Sequence, residues 1–106
     1  MEQDLEFANN EAIKGYVDSM RRFLDDATEK SKRLRTDISY RIKDIEHIGY
    51  TNAVKMTLDL ATDFAQKGNR RIADLYLQMA EQYALRLDSS MQAKVKRTRT
   101  ELQIEP

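Results

Sequence analysis

The chain has 106 residues, with 18 basic and 18 acidic side chains, one histidine, no cysteine or tryptophan, three glycines and one proline. That length fits one small domain, and the absence of cysteine excludes a disulfide framework, a thiol nucleophile and a thiolate metal site. With so little glycine and proline for turns, the composition favours an all-α fold over a strand-rich one.

The first element in chain order carries the strongest pattern. Steps of four and three from Ile13 reach Val17, Met20, Leu24, Ala27, Ser31, Leu34, Ile38, Arg41, Ile45 and Ile48; nine of these eleven positions are apolar. A 3.5-residue repeat marks the seam of a coiled coil or long bundle helix. It predicts one helix over residues 10–48, roughly 58 Å long at 1.5 Å per residue. Asn9 or Asn10 would cap its start, Gly49 would end it, and Gly15 would be its weak point. Thr28–Thr36 reads as polar but contains no glycine or proline, so the helix is expected to continue through it.

A helix hairpin follows over residues 51–87. Thr51 offers a cap for its first helix, whose apolar residues occupy more than one face and so imply two neighbours. Gly68-Asn69 supplies a helix stop followed at once by a new cap, so the next helix must return antiparallel. Asp88-Ser89-Ser90 then caps a thin, basic helix over 90–103, expected to fray toward Pro106. All three elements form a single helical domain in this reading.

Around the Gly68 turn, Leu60, Ala61, Phe64, Gly68, Ala73, Leu77 and Ala80 alternate large, small and aromatic positions. This stretch resembles a single tetratricopeptide hairpin, and also the first hairpin of a microtubule-interacting-and-transport domain, with residues 90–103 as its third helix; a generic antiparallel helix pair would use the same residues. Thr57 stands where the family's tryptophan would be, and Leu85 where its closing proline would be. The resemblance implies close helix packing through the small residues and hints at peptide binding.

Charge is balanced overall but blocked locally: residues 1–29 carry a net −5, residues 30–43 a net +5, residues 44–88 a net −2 and residues 89–106 a net +2. Such blocks suit helices pairing acidic against basic stretches. Two basic clusters, Lys30, Lys32, Arg33 and Arg35, then Lys94, Lys96, Arg97 and Arg99, could neutralise phosphates if they converged. No aromatic residues interleave with them for base stacking.

Catalytic constellations are weak. His47 shares a helix face with Asp44, but a di-iron or histidine-rich zinc site needs more histidine than one chain supplies. Its position two residues before Gly49 reads instead as a cation near a helix end. Asp25, Asp26 and Glu29, and the pair Asp59 and Asp63, read as solvated helix surface. No phosphate-binding loop or nucleophile motif is present.

The sequence therefore points to a small non-catalytic interaction protein, an adaptor or assembly subunit without cofactor, metal or small-molecule substrate. The longest apolar run is three residues, too short for a membrane span, and the acidic start is unlike a signal peptide, so a cytoplasmic location is expected. A homodimer on the first helix, or a helical protein partner, would cover a stripe that the shorter hairpin cannot span. Ile13, Val17, Met20, Leu24, Leu34, Ile38 and Ile45 would form that interface. Tyr76, Met79 and Tyr83, at i, i+3 and i+7, form a candidate groove for a partner helix. The alternative is an accessory nucleic-acid-binding protein using the two basic clusters.

Overall fold

A computed structural model of the chain describes residues 1–104; the expected fraying at Pro106 lies outside them. Among the described residues the fold is all-α, with no strand. The helices are α1 (Glu2–Ile13), α2 (Val17–Leu34), α3 (Ser39–Gln66), α4 (Arg70–Ala84) and α5 (Ser89–Glu101). They form two compact units, residues 1–52 and residues 53 onward, and α3 contributes its first half to one and its second half to the other. Among the described residues no helix is long and apolar enough to cross a membrane.

The single helix expected over 10–48 is instead three. Its breaks share one backbone device, in which a left-handed residue lets two amides turn back onto the helix's last carbonyls. Gly15 takes φ 76°, its N–H donating to the Ala12 carbonyl at 2.9 Å while Tyr16 N–H donates to that of Glu11 at 3.0 Å. Gly15 is thus a helix stop rather than a weak point within a helix. Arg35 does the same at φ 52°, with Thr36 N–H donating to the Ser31 carbonyl at 2.9 Å. That closure refutes continuity through Thr28–Thr36, because α2 ends at Leu34. Gly68, at φ 84°, makes the expected turn between α3 and α4, and Gln103 closes α5 in the same way at φ 56°.

The caps divide along the same line. Asn69 accepts from Ile72 N–H at 3.2 Å and Asp88 from Met91 N–H at 3.1 Å, both as expected. Asn9 and Asn10 lie within α1, and Gly49 and Thr51 lie within α3, so none of them bounds a helix. The start of α3 is held by Asp37, whose carboxylate accepts from Ser39 N–H at 2.9 Å and from its hydroxyl at 2.7 Å.

Within the first unit, α1, α2 and the start of α3 pack around Leu5, Ala8, Ala12, Val17, Met20, Leu24, Ala27, Ile38, Ile45 and Tyr50, all buried. Gly49 lets α3 approach closely: a Cβ there would collide with Met20 Sδ, lie 3.1 Å from Met20 Cε and touch Ala12 Cβ at 3.4 Å. The Phe7 and Phe23 rings add a tilted contact at 5.3 Å between α1 and α2. Asn52 donates to the Ala12 and Ile13 carbonyls at 3.1 Å each, adding a second bond to Ala12 and tying the end of α1 to α3.

The second unit buries Val54, Leu58 and Ala61 of α3, Ala73, Leu77, Ala80 and Ala84 of α4, Val95 of α5, and Ile104. Small residues at 61, 73, 80 and 84 let the helix axes approach, while Leu58 and Leu77 fill the space beside them. The Phe64 and Tyr76 rings stack at 5.7 Å across the hairpin. Thr57 is buried with its hydroxyl donating back to its own helix, at 2.8 Å to the Ala53 carbonyl.

Candidate interaction surfaces

The seven residues expected to mediate self-association do not form a free stripe. Val17, Met20, Leu24, Ile38 and Ile45 are buried inside the first unit, because the breaks at Gly15 and Arg35 fold the stripe onto itself. Only Ile13 and Leu34, at 60% and 63% exposure, remain outside. The length argument for a dimer assumed an unbroken helix, and it fails with that helix.

Charge pairing between the acidic N-terminal block and the basic block does occur, but within one chain. Lys30 Nζ lies 2.7 Å from Asp4, and Arg41 holds Glu2 through two bonds of 2.5 and 2.8 Å. Outside those blocks' pairing, Arg21 pairs with Glu46. Hydrogen bonds from Lys30 and Arg41 hold the Asp4 and Glu2 carboxyls below their ordinary pKa values. Burial works against the charge on Arg21, but Glu46 outweighs it and the net shift is upward. Glu2, Leu5, Glu6, Asn9, Arg41, Asp44 and Ile45 line a shallow cleft of about 380 Å³. Across it Glu2 is tied to Arg41, so the cleft is a seam of the unit.

In the second unit, the proposed groove residues lie along α4 beside its buried seam. Tyr76 is half-buried against Phe64, Tyr83 is half-buried, and Met79 is 42% exposed. Leu75, one turn before Met79 and 53% exposed, extends this apolar surface. Sequence reasoning passed over Leu75 because it fits neither the buried 73/77/80/84 series nor the 76/79/83 series.

The basic clusters are split by the fold. Arg99, expected to face phosphate, is 8% exposed and turned inward. It reaches Asp74 at 2.7 Å and Glu81 at 2.5 Å, and so ties α5 to α4. Burial lowers its pKa, but these two carboxylates more than offset that and the net shift is upward. The signal was available: Arg99 falls four residues after Val95 on the thin apolar face of α5. Lys30 is likewise committed to Asp4. Lys32, Arg33, Arg35, Lys94, Lys96 and Arg97 are exposed, on α2 or its cap and on α5.

His47 is exposed in the interior of α3, so it has no helix end to cap, and the expected role is withdrawn. Asp25 contacts Arg21 at 3.5 Å and Asp63 pairs with Lys67 at 3.0 Å, each one turn away on its own helix. Among the described residues no three His, Asp or Glu side chains converge on a point that could hold a metal ion. No family model matches the chain, and neither a curated protein nor a solved structure matches it.

Proposed function

We propose that this is a small non-catalytic interaction protein of the cytoplasm, an adaptor or assembly subunit working through helix–helix contacts. The observation that carries the reading is the outer surface of α4. Leu75 and Met79 stay exposed above a closed core, flanked by the half-buried rings of Tyr76 and Tyr83. Apolar anchors at helical spacing fit an amphipathic helix laid alongside, and contiguous apolar surface of this kind marks interaction sites. The alanine-lined approach of α3 and α4 supports the same reading through its resemblance to a tetratricopeptide-type hairpin.

The test is the state of the protein taken from its native cells. Wild type should elute with a stoichiometric second polypeptide or as an oligomer. A Leu75→Glu/Met79→Glu variant of unchanged helicity should lose the partner held on α4. Elution of wild type as a lone monomer would refute the reading.

A second reading, contact with nucleic acid, is supported by the exposure of Lys32, Arg33, Arg35, Lys94, Lys96 and Arg97, which have no ion pair among the described residues. Retention on a phosphate matrix that falls steeply with salt would favour it.

A further inference from the structure

We propose that the first unit can pair two copies of this chain by exchange. In that form the turn at residues 35–38 straightens, α2 and α3 join into one helix, and each α1–α2 hairpin packs on the other copy's α3. The proposal rests on the reading of the protein as one that acts through helix–helix contacts, and it names a second copy as the partner.

Three observations carry it. First, the seam spacing stays in phase through the turn: Ala27, the buried but polar Ser31, Leu34 and Ile38 keep alternating steps of three and four although the helix does not. A turn used only as a turn has no need of a helical seam across it. Second, the turn has no glycine or proline, and it places Arg35 at φ 52°, a conformation that costs a side-chain-bearing residue and that straightening removes. Third, Leu34, beside the hinge, is one of the seam residues the closed chain leaves outside, and a two-fold pair with both hinges at its centre brings the two Leu34 side chains together.

Nothing in the core opposes the exchange. The contacts that close α3 onto the hairpin are Met20 against Gly49, Arg21 with Glu46, Glu2 with Arg41, and Asn52 with the end of α1. All of them cross the hinge, so each can be remade between copies. The Lys30–Asp4 pair lies within the hairpin and travels with it. The opposing terms are local. Asp37 caps α3 only in the closed form, and Lys32, Arg33 and Arg35 of two copies would repel at the axis. Exchange should therefore strengthen with salt, the opposite of a dimer held by ion pairs.

The chain's lack of cysteine makes a direct test possible. Full-length Arg21→Cys and Glu46→Cys chains are unfolded, mixed, refolded together and treated with a short bismaleimide. Exchange predicts a covalent product of twice the chain mass joining the two kinds of chain. Arg35→Gly relaxes the left-handed residue and weakens the straight helix. It should weaken the dimer by about 25-fold or more, about fivefold for each of two hinges. Asp37→Ala should strengthen it, and both variants are checked for helicity by circular dichroism. A dimer that never yields the 21–46 interchain product overturns exchange and leaves the helix–helix reading standing, as does a monomer that binds a different protein. A lone monomer under all conditions overturns both.

Discussion

Gly49 gives the sharpest test of the packing in the first unit, because two opposing effects meet at one Cβ. Replacing a glycine inside a helix with alanine normally stabilises by up to about 1 kcal/mol. Here the added carbon would run into Met20 Sδ, with Met20 Cε at 3.1 Å and Ala12 Cβ at 3.4 Å. Met20 is fully buried, so it has no solvent to swing into. Overpacking of this kind costs about 1–3 kcal/mol. Gly49→Ala should therefore be neutral or destabilising by up to about 2 kcal/mol, although it improves the helix.

The decisive measurement is a double-mutant cycle by urea denaturation. Met20→Val removes Sδ and Cε while keeping a buried aliphatic side chain. In that background Gly49→Ala should recover its helical gain of about 1 kcal/mol. The coupling between the sites should then be about 1–3 kcal/mol, with the urea m-value unchanged. If Gly49→Ala stabilised both backgrounds equally, α3 would not approach α2 at Gly49 and the reasoning would fail.

Three further outcomes follow from other contacts. Arg99→Ala should destabilise the second unit by roughly 1–3 kcal/mol in urea melts; partial exposure of Asp74 and Glu81 keeps this below the cost of a fully buried pair. Arg99→Met, which keeps the packed stem, should lose less, and an Ala variant as stable as wild type would show that the network does not hold α5. Glu2, Asp4 and Asp37 have folded pKa values below their ordinary 4.5, 3.8 and 3.8. Their contribution is therefore complete above those ordinary values and is lost as pH falls through the lower folded ones. Urea midpoints should drop on acidification below about pH 4.5, less steeply in Asp4→Asn, and identical slopes would remove Asp4 from the account. Asn69→Ala should cost about 1 kcal/mol by orphaning Ile72 N–H, whereas an equal loss on replacing Asn9, which caps nothing, would contradict the helix boundaries.

The fold class, the Gly68 turn and the caps at Asn69 and Asp88 were legible because each is written in local chemistry. A glycine at a helix stop and a short polar side chain before a helix act within a few residues of themselves. The breaks at Gly15 and Arg35 were not legible, for two different reasons. Gly15 was visible, but the same residue type serves as a helix stop, as a flaw within a helix, or, like Gly49, as a point of close approach. Only the partner at that position decides which. Gly49 was read as the stop and Gly15 as the flaw, and the structure gives the stop to Gly15 and the close approach to Gly49.

Arg35 carried no signal at all. A left-handed arginine is unfavourable by itself, and it is held because Ile38, Ile45 and the α2 seam bury one another once the chain turns there. Arg99 differs: membership of a basic cluster does not show which cation points inward, but its place four residues after Val95 on the thin apolar face of α5 does. Between Val17 and Ile45 the seam is buried except at Leu34 and Arg41, so it marked the covered side there, but it was read wrongly as one straight helix. A 3.5-residue repeat specifies which side of a helix is covered and is silent on whether the cover comes from the same chain. Two breaks of the right hand are enough to turn a seam that would require a partner into the core of a closed unit, and undoing one of them reverses that choice.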